Sequence, residues 1–252
     1  MRRTLLVAVP LALALSACGG SSGRNVLRDA SANLGKIRSG VLHAKLLVQP
    51  RVESARQAFG FTIDGPFRFG EQPTANVTYV QIANGRRASA RLVITPSGGT
   101  IFTNGRRRTL DALQLSDLRG TMRAVRAGGS IVDVSNWVKS SRSTDCPEAD
   151  APVQCVKGDL DPVEALNGLL ALEQATGRGT ADLGSADAEQ LKDAVKKATF
   201  FVMAGKDDKL LRDLRIDLEL ALDVPEVLRA FFGTLVGAEV SFELGVDKPN
   251  AG

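Results

Sequence analysis

The chain has 252 residues, of which 44% are hydrophobic and 24% are charged. This balance excludes an intrinsically disordered protein and allows one large domain or two small ones. The net charge is +4 at pH 7 and falls to +2 if Arg2 and Arg3 are removed with a leader, so the charge gives no basis for a nucleic-acid-binding function.

The first eighteen residues have the layout of a bacterial lipoprotein signal. Arg2 and Arg3 give a basic start, and residues 5–15 form an apolar run that is shorter than the roughly 20 residues of a membrane span. The segment 15–18, Leu-Ser-Ala-Cys, looks like a lipobox, in which two small residues precede the cysteine whose thiol receives a diacylglycerol. The alternative is an ordinary signal peptide in which the cysteine occurs by chance.

We therefore expect an exported lipoprotein that is cleaved before Cys18. Residues 1–17 would be the signal peptide, and Cys18, carrying diacylglycerol and a further acyl chain such as palmitate, would anchor the protein to the extracytoplasmic or periplasmic side of a membrane. Residues 18–23 are rich in Gly and Ser and predict a flexible tether. Residues 24–252 would then form the folded domain.

Apolar residues recur first at helical and then at strand intervals. Their spacing predicts a helix over 24–37. Alternation then predicts strands over 41–48, 59–69, 77–82, 88–94 and 100–103, with a bulge or bend at Gly65-Pro66. Two Asn-Gly pairs, at 84–85 and 104–105, are hairpin signals because both residue types tolerate positive φ. This pattern is typical of an antiparallel meander with one apolar face.

The middle of the chain predicts helices and a loop. Apolar residues between 110 and 125 indicate one or two short helices, and 128–144, which contains the single tryptophan, Trp137, predicts a loop. Asp161-Pro162-Val163-Glu164 is typical of a helix start. Helices are therefore predicted from there to about residue 175 and again over 185–197.

Strand alternation returns near the end of the chain. Strands are predicted over 199–204, 214–222 and 238–246, with a turn at 205–208 and an apolar helix over 224–236. The last two strands each have one apolar and one largely charged face. Together the elements predict an α+β fold: a single curved antiparallel sheet, or half-barrel, with helices covering its concave apolar side.

Cys146 and Cys155 are the cysteines that remain once Cys18 is lipidated. An exported protein meets an oxidising compartment, so we expect a structural disulfide, worth roughly 2–3 kcal/mol at most for so short a loop. A metal site would need more ligands, and a redox motif would usually be Cys-x-x-Cys.

The apolar side of the sheet has two possible interpretations. The helices either cover it to form a dry core, or leave a cavity lined by many apolar and few polar side chains. Alternation along the strands and the helix at 224–236 gives the residues that would line such a cavity: Phe59, Phe61, Ile63, Leu92, Ile94, Leu214, Ile216, Leu218, Leu220, Phe231, Phe232, Val240 and Phe242.

The order of these features resembles a known family. A lipobox, a tether, a helix ending in Leu-Gly-Lys-Ile-Arg-Ser at 34–39 and a long antiparallel sheet are similar to the LppX/LprG lipoproteins, which share a fold with the LolA/LolB carriers. The segments 158–162, 194–196 and 205–211 follow the same order. The resemblance implies a half-barrel plugged by helices, with acyl chains or a lipidated cargo bound between sheet and helices, and no catalytic residues.

Few residues suggest enzymatic chemistry. His43 is the single histidine and lies in a predicted strand, with no nucleophile elbow in the chain. No cluster of His and Cys has the spacing of a zinc site, and no glycine-rich stretch ends in the Lys-Ser/Thr of a P-loop. Asp207-Asp208 is typical of a hairpin turn, with weak calcium contact as the alternative. We therefore expect no enzyme, no cofactor and no metal.

The sequence favours a monomeric, membrane-anchored envelope lipoprotein. It would bind lipid, glycolipid or acylated cargo in an apolar cavity and carry it across the envelope, with a membrane transporter as a candidate partner. The alternative is an assembly or interaction lipoprotein with a filled core. Arg86-Arg87 and Arg106-Arg107-Arg108 follow the two Asn-Gly pairs. They would form a basic rim for anionic headgroups if both turns lie at one end of the sheet, and otherwise are solvated loops.

Overall fold

The structure is a computed structural model that describes residues 20–50, 58–83, 85–127, 134–165, 167, 185–221 and 237–251. The predicted signal peptide, Cys18 and the apolar helix over 224–236 with Phe231 and Phe232 lie outside the described residues. None of the described helices is long and apolar enough to cross a membrane.

One antiparallel sheet of eleven strands dominates the described part of the chain. The spatial order is β6-β5-β4-β3-β2-β1-β11-β10-β9-β8-β7, and the sheet is not closed into a barrel. This confirms the single curved sheet predicted from the sequence. The strands are β1 Ser39–Pro50, β2 Phe59–Arg68, β3 Thr74–Ala83, β4 Arg86–Thr95, β5 Gly98–Thr103, β6 Arg106–Thr109, β7 Val138–Thr144, β8 Val153–Leu160, β9 Val195–Gly205, β10 Leu211–Leu220 and β11 Ala238–Asp247.

The pairing of β1 with β11 joins the two halves of the sheet. Leu42 lies opposite Val246 and Val48 lies opposite Val240, so that apolar residues from the beginning and the end of the chain share one face. The residues between them in β1, such as His43, share the other face with charged residues of β11. Alternation in β1 and β11 therefore produces one apolar face and one largely polar face.

Helix α1 (Gly20–Ala32) covers one end of the apolar side. It packs on β7, β8 and β9, with Leu27 and Ala30 buried against the sheet. The Arg24 guanidinium donates a hydrogen bond of 2.9 Å to the backbone carbonyl of Val138 and ties the helix to β7. A 3-10 helix, Leu34–Lys36, then leads into β1.

Helix α2 (Ala112–Ala127) follows the edge strand β6. Its first turn is capped by Asp111, whose carboxylate accepts the backbone N–H of Gln114 at 2.8 Å. Leu110 and Leu115 lie directly over Gly99 of β5, so the start of α2 covers that part of the sheet. Residues 162–165 and 167 are helical as well, and the Asp161 carboxylate accepts the backbone N–H of Val163 at 2.9 Å. Helix α3 (Ser185–Ala194) leads straight into β9.

Three sequence predictions need correction. The segment expected as a tether is helical from Gly20 onward, because Gly23 packs against Ser141 and Val156 with no room for a side chain. The segment 128–144, expected as a loop, contains a 3-10 helix, Val134–Trp137, and the edge strand β7. β7 was missed because its sequence is almost entirely polar.

The third correction concerns Gly65-Pro66, where no bulge occurs. The register between β1 and β2 continues without a shift through both residues. Gly65 has a φ of +140°, and a Cβ placed there would lie 2.2 Å from the backbone oxygen of Asn76 in β3. The glycine therefore allows the close approach of two strands at this point.

The two cysteines predicted to pair form a disulfide in the structure. Cys146 and Cys155 are bridged with their Cα atoms 5.3 Å apart, and Cys155 is buried in β8. The bridge closes the connection between β7 and β8. It thereby fixes the hairpin on which α1 packs.

Candidate functional site

The apolar face of the sheet is the broadest candidate for binding. We use this name for the face on which the apolar side chains of successive strands align. Its members follow the pairing register across the sheet: Leu42, Ala44, Leu46, Val48, Phe59, Phe61, Ile63, Phe67, Ala75, Val77, Tyr79, Leu92, Ile94, Ile101, Ala198, Phe200, Val202, Leu214, Ile216, Leu218, Leu220, Val240, Phe242, Leu244 and Val246.

Two parts of the apolar face are packed into buried clusters. The larger cluster lies under α1 and includes Phe200 and Val202 of β9 together with Leu27 and Trp137. The smaller cluster is formed by Val48, Leu220, Ala238 and Val240, with Val163 packed against it. In these two parts the apolar face is therefore filled by packed side chains.

A third part of the apolar face, on β2 and β3, is less completely covered. Phe61 and Tyr79 are stacked, with ring centroids 6.0 Å apart, and Tyr79 is 38% exposed. Ile63, which lies directly opposite Tyr79, is partly exposed as well. Neither buried cluster includes any of these three among the described residues. The pair therefore presents apolar and aromatic surface on the side that the helices face.

All the strand residues predicted to line a cavity lie on the apolar face, but they divide into two groups. Buried members of the set are Ile94, Leu214, Leu220 and Val240, at 2%, 8%, 2% and 5% exposure. Partly exposed members are Phe59, Phe61, Ile63, Leu92, Ile216, Leu218 and Phe242. The first group belongs to the packed interior. Within the second group, Phe59, Ile216, Leu218 and Phe242 pack against the buried clusters. Phe61, Ile63 and Leu92 therefore remain the candidate lining.

Sequence reasoning left Tyr79 out of the candidate lining. It is the single tyrosine of the chain. Its position two residues after Val77 in β3 was the signal that could have assigned it to the apolar face. Phe102 of β5 is almost equally exposed, at 37%. It is paired with Arg91 and lies on the polar face of the sheet. The two aromatic residues therefore differ in face and not in accessibility.

On the opposite face, His43 lies between two carboxylates from neighbouring strands. Its Nδ1 is 3.0 Å from Oδ1 of Asp64 in β2, and its Nε2 is 3.1 Å from Oδ2 of Asp247 in β11. The hydrogen bond to Asp64 and the charge of Asp247 raise the pKa of His43 above its ordinary value of 6.5, although partial burial opposes them. Lys45, the next residue on this face, forms an ion pair of 2.8 Å with Glu243.

The turn between β9 and β10 is held by side-chain contacts of Asp208. Desolvation raises the pKa of Asp208, but the N–H of Leu210 and the guanidinium of Arg212 outweigh it and lower the pKa overall. Asp208 thus stabilises the hairpin turn that the sequence predicts at Asp207-Asp208. No group of three or more potential metal ligands occurs among the described residues.

The basic residues after the two Asn-Gly pairs come to the same end of the sheet. β3, β4, β5 and β6 alternate in direction, so the end of β3, the start of β4 and the turn at 104–105 all lie at that end. Asn84 of the first Asn-Gly pair lies outside the described residues. Asn104 and Gly105 have φ values of +50° and +74°, as expected for a two-residue hairpin. The geometric condition for a basic rim is therefore met. Its arginines are all exposed: Arg86, Arg87, Arg106, Arg107 and Arg108.

Comparison with known proteins finds similarity among solved structures. No protein-family model matches the chain, and no curated protein matches it. The chain is similar to the Mycobacterium tuberculosis lipoprotein LppX, with 13% identity and a TM-score of 0.42 over 92% of this chain and 96% of that one. It is also similar to LprF from Mycobacterium bovis, with 11% identity and a TM-score of 0.45 over 92% and 97%.

A third solved structure shows a weaker similarity. This DUF1329 family protein from Desulfovibrio piger has 7% identity and a TM-score of 0.25 over 91% of this chain and 94% of that one. LppX bears the name of the group that the sequence layout resembles. The architecture described above follows from the strand pairing of this chain itself.

Proposed function

We propose that the protein is an exported lipoprotein that binds the acyl chains of a lipid, glycolipid or acylated cargo against the apolar face. In this proposal Cys18 carries the lipid anchor, and the protein shields the acyl chains as it carries its cargo across the envelope. The observation that carries the proposal is the stacked, partly exposed pair Phe61 and Tyr79 on the side that the helices face.

The chemistry of this surface suits an acyl chain. Phe61, Ile63 and Leu92 offer apolar contacts. The polar groups beside them are the Tyr79 hydroxyl and the amide of Gln81, which lies opposite Phe61 on the same face. Burying apolar area contributes about 25 cal/mol per Å². An alkyl chain laid across several strands would therefore bind with useful affinity and without specific hydrogen bonds.

A non-catalytic role fits the same residues. His43 forms contacts with Asp64 and Asp247 on the opposite face, away from the apolar face. A protein that works by shielding needs no nucleophile or general base. We propose that the protein is not an enzyme and acts as a monomer.

A second candidate function is an envelope assembly protein with a filled core. It is favoured by the full burial of four predicted lining residues, among them Ile94 and Leu220 at 2% exposure each. The two candidates differ in whether the apolar face retains a ligand after purification.

The first test is native mass spectrometry of the full chain produced in a bacterial envelope, with extraction of anything that is bound. We expect a stoichiometric lipid or acylated molecule. A mass without ligand, unchanged after incubation with envelope lipids, would contradict the proposal and favour the assembly protein.

A matched pair of variants locates the binding surface. Tyr79→Asp places a charge on the apolar face and should lower lipid occupancy about tenfold or more, because a carboxylate is costly to remove from water. Phe102→Asp alters an equally exposed aromatic residue on the opposite face and should leave the occupancy unchanged. If Tyr79→Asp does not fold, Tyr79→Ser is the milder substitute. Equal lipid occupancy in the folded Tyr79 variant and in the Phe102→Asp control would contradict the proposed binding surface.

A further inference from the structure

Charge is distributed very unevenly along the sheet. Residues 72–110 span β3 to β6 and contain six arginines but no aspartate, glutamate or lysine. Strands β10 and β11, by contrast, carry six acidic residues against Arg212 and Arg215. The part of the sheet from β3 to β6 is therefore basic and free of acidic residues, and the strands β10 and β11 are acidic.

The arginines are concentrated where the sheet ends. β6 is an edge strand of the described sheet, and three of its four residues are arginines. Arg106 and Arg108 lie opposite Thr103 and Ile101 and share the apolar face, whereas Arg107 lies opposite Phe102 on the other face. Guanidinium groups thus border both faces at this edge.

The adjoining hairpin extends the same basic surface. Ala90 of β4 lies opposite Thr103 of β5, so β4 continues past the β5–β6 turn for four further residues. Arg86 and Arg87 lie on this extension. We call Arg86, Arg87, Arg106, Arg107 and Arg108 the arginine edge.

The side chains of the arginine edge are accessible for contact. All five are exposed, and Arg108 donates a long hydrogen bond of 3.4 Å to Gln114. Within the described parts of the chain, no hydrogen bond or ion pair involves the side chains of the other four. The β5–β6 hairpin also borders a concavity of about 640 Å³ lined by Ile101, Thr103, Asn104, Arg106, Arg107 and Arg108.

Protection of an exposed strand edge does not account for this arrangement. A single charged residue suffices to disfavour pairing with another strand. Here five arginines accumulate around two neighbouring turns, and residues 72–110 contain no acidic residue. Guanidinium groups bind phosphate oxygens in a bidentate manner and are only weakly hydrated, which suits them to an interface with phosphate headgroups.

We propose that the arginine edge docks the protein on an anionic phospholipid bilayer, with Arg86, Arg87 and the turn at 104–105 directed at the headgroups. This surface charge would orient the molecule so that the acidic strands β10 and β11 lie away from the membrane. The inference does not depend on a lipid being bound to the apolar face.

Vesicle flotation with residues 18–252, the proposed mature chain, tests this inference, because the apolar run at 5–15 would itself bind vesicles. Cys18→Ser is included throughout, so that no lipid thioether contributes. The vesicles are phosphatidylcholine alone or phosphatidylcholine with an equal amount of phosphatidylglycerol. The triple arginine variant combines Arg106→Gln, Arg107→Gln and Arg108→Gln. It should bind the anionic vesicles about a hundredfold more weakly at low salt, since each basic residue near such a surface contributes roughly fivefold. Added salt should weaken the binding of the parent chain.

The matched control removes three cations from the opposite edge of the sheet. Lys139, Arg142 and Lys157 are exposed on β7 and β8, and their replacement by Gln changes the net charge by the same amount. We expect a change of less than about twofold, because these residues would face away from the bilayer. If the triple arginine variant does not fold, Arg86→Gln with Arg87→Gln tests the same surface.

Three results would overturn the inference. Equal losses in the arginine variant and the control would show that net charge alone governs binding. No loss in a folded arginine variant would exclude the arginine edge. Stoichiometric binding of inorganic phosphate, abolished by the same substitutions, would instead identify a discrete anion site.

Discussion

His43 shows how one residue can connect three strands. Its ring nitrogens contact Asp64 of β2 and Asp247 of β11 from a position in β1. Both contacts are hydrogen bonds to carboxylates, which the charged imidazolium can satisfy at the same time. A neutral ring can donate from only one nitrogen. The arrangement therefore favours the protonated form.

Stability should depend on pH through His43. Because the folded-state pKa is raised above 6.5, the stabilisation is fully present below about pH 6.5 and is lost as the pH rises through the folded-state pKa. The effect should be small, since the side chain is 47% exposed and solvent screens the charges.

Urea unfolding of the wild type and of His43→Gln at several pH values measures this contribution. We expect the difference in unfolding free energy between the two proteins to shrink as the pH rises above 6.5. A difference that stays constant or grows across that range would contradict the assigned role.

At the scale of elements, α1 depends on the sheet beneath it. Its first four residues are glycine and serine, which have poor helix propensity. The helix nevertheless begins at Gly20, because Gly23 fits closely against Ser141 and Val156. Tertiary packing thus overrides local preference, and the sequence pattern predicted a tether there.

The contribution of this packing is measurable with a matched pair of leucines. Leu27 in α1 is 2% exposed, whereas Leu113 in α2 is 72% exposed. Leu27→Ala should lower the unfolding free energy by about 2–5 kcal/mol through lost contacts and a cavity. Leu113→Ala should change it by less than about 0.5 kcal/mol. Similar losses for both variants in chemical denaturation would show that α1 is not packed as described.

Strands with different surroundings differed in how well their sequences predicted them. β10 and β11 were predicted closely because each buries one face, so apolar and charged residues alternate. β7 lies at an edge of the sheet and has the sequence Val-Lys-Ser-Ser-Arg-Ser-Thr. With so little apolar surface to bury, it carries no periodic signal and is specified by its pairing with β8.

For the whole molecule, the two proposed surfaces occupy different parts of one sheet. The candidate lining around Phe61 and Tyr79 lies on β2 and β3, and the arginine edge lies on β4 and β6. Lipid binding would use apolar contact, whereas membrane docking would use charge. The two activities should therefore be separable by substitution.

This separation gives a prediction that involves both surfaces. Tyr79→Asp should reduce lipid occupancy and leave flotation with anionic vesicles unchanged within about twofold, because sites without shared partners behave additively. The triple arginine variant should show the converse. Native mass spectrometry and flotation on the same preparations make the comparison. Parallel loss of both activities in folded variants would show that one surface serves both functions.

The sequence by itself determined the period of each strand, the turns at the two Asn-Gly pairs, the disulfide partners and the division of residues between an apolar and a polar face. These are local properties, set by side-chain alternation, φ preferences and oxidation chemistry. Alternation alone was therefore sufficient to assign the strand residues of the candidate lining to the apolar face.

Only the tertiary structure decided which parts of the apolar face are filled and where the charges meet. Ile94 and Tyr79 both point to that face, yet one is 2% and the other 38% exposed. β1 pairs with β11 from the far end of the chain, and strand directions bring the two arginine turns to one end. Such outcomes depend on contacts between residues distant in sequence, and alternation within a strand carries no information about them.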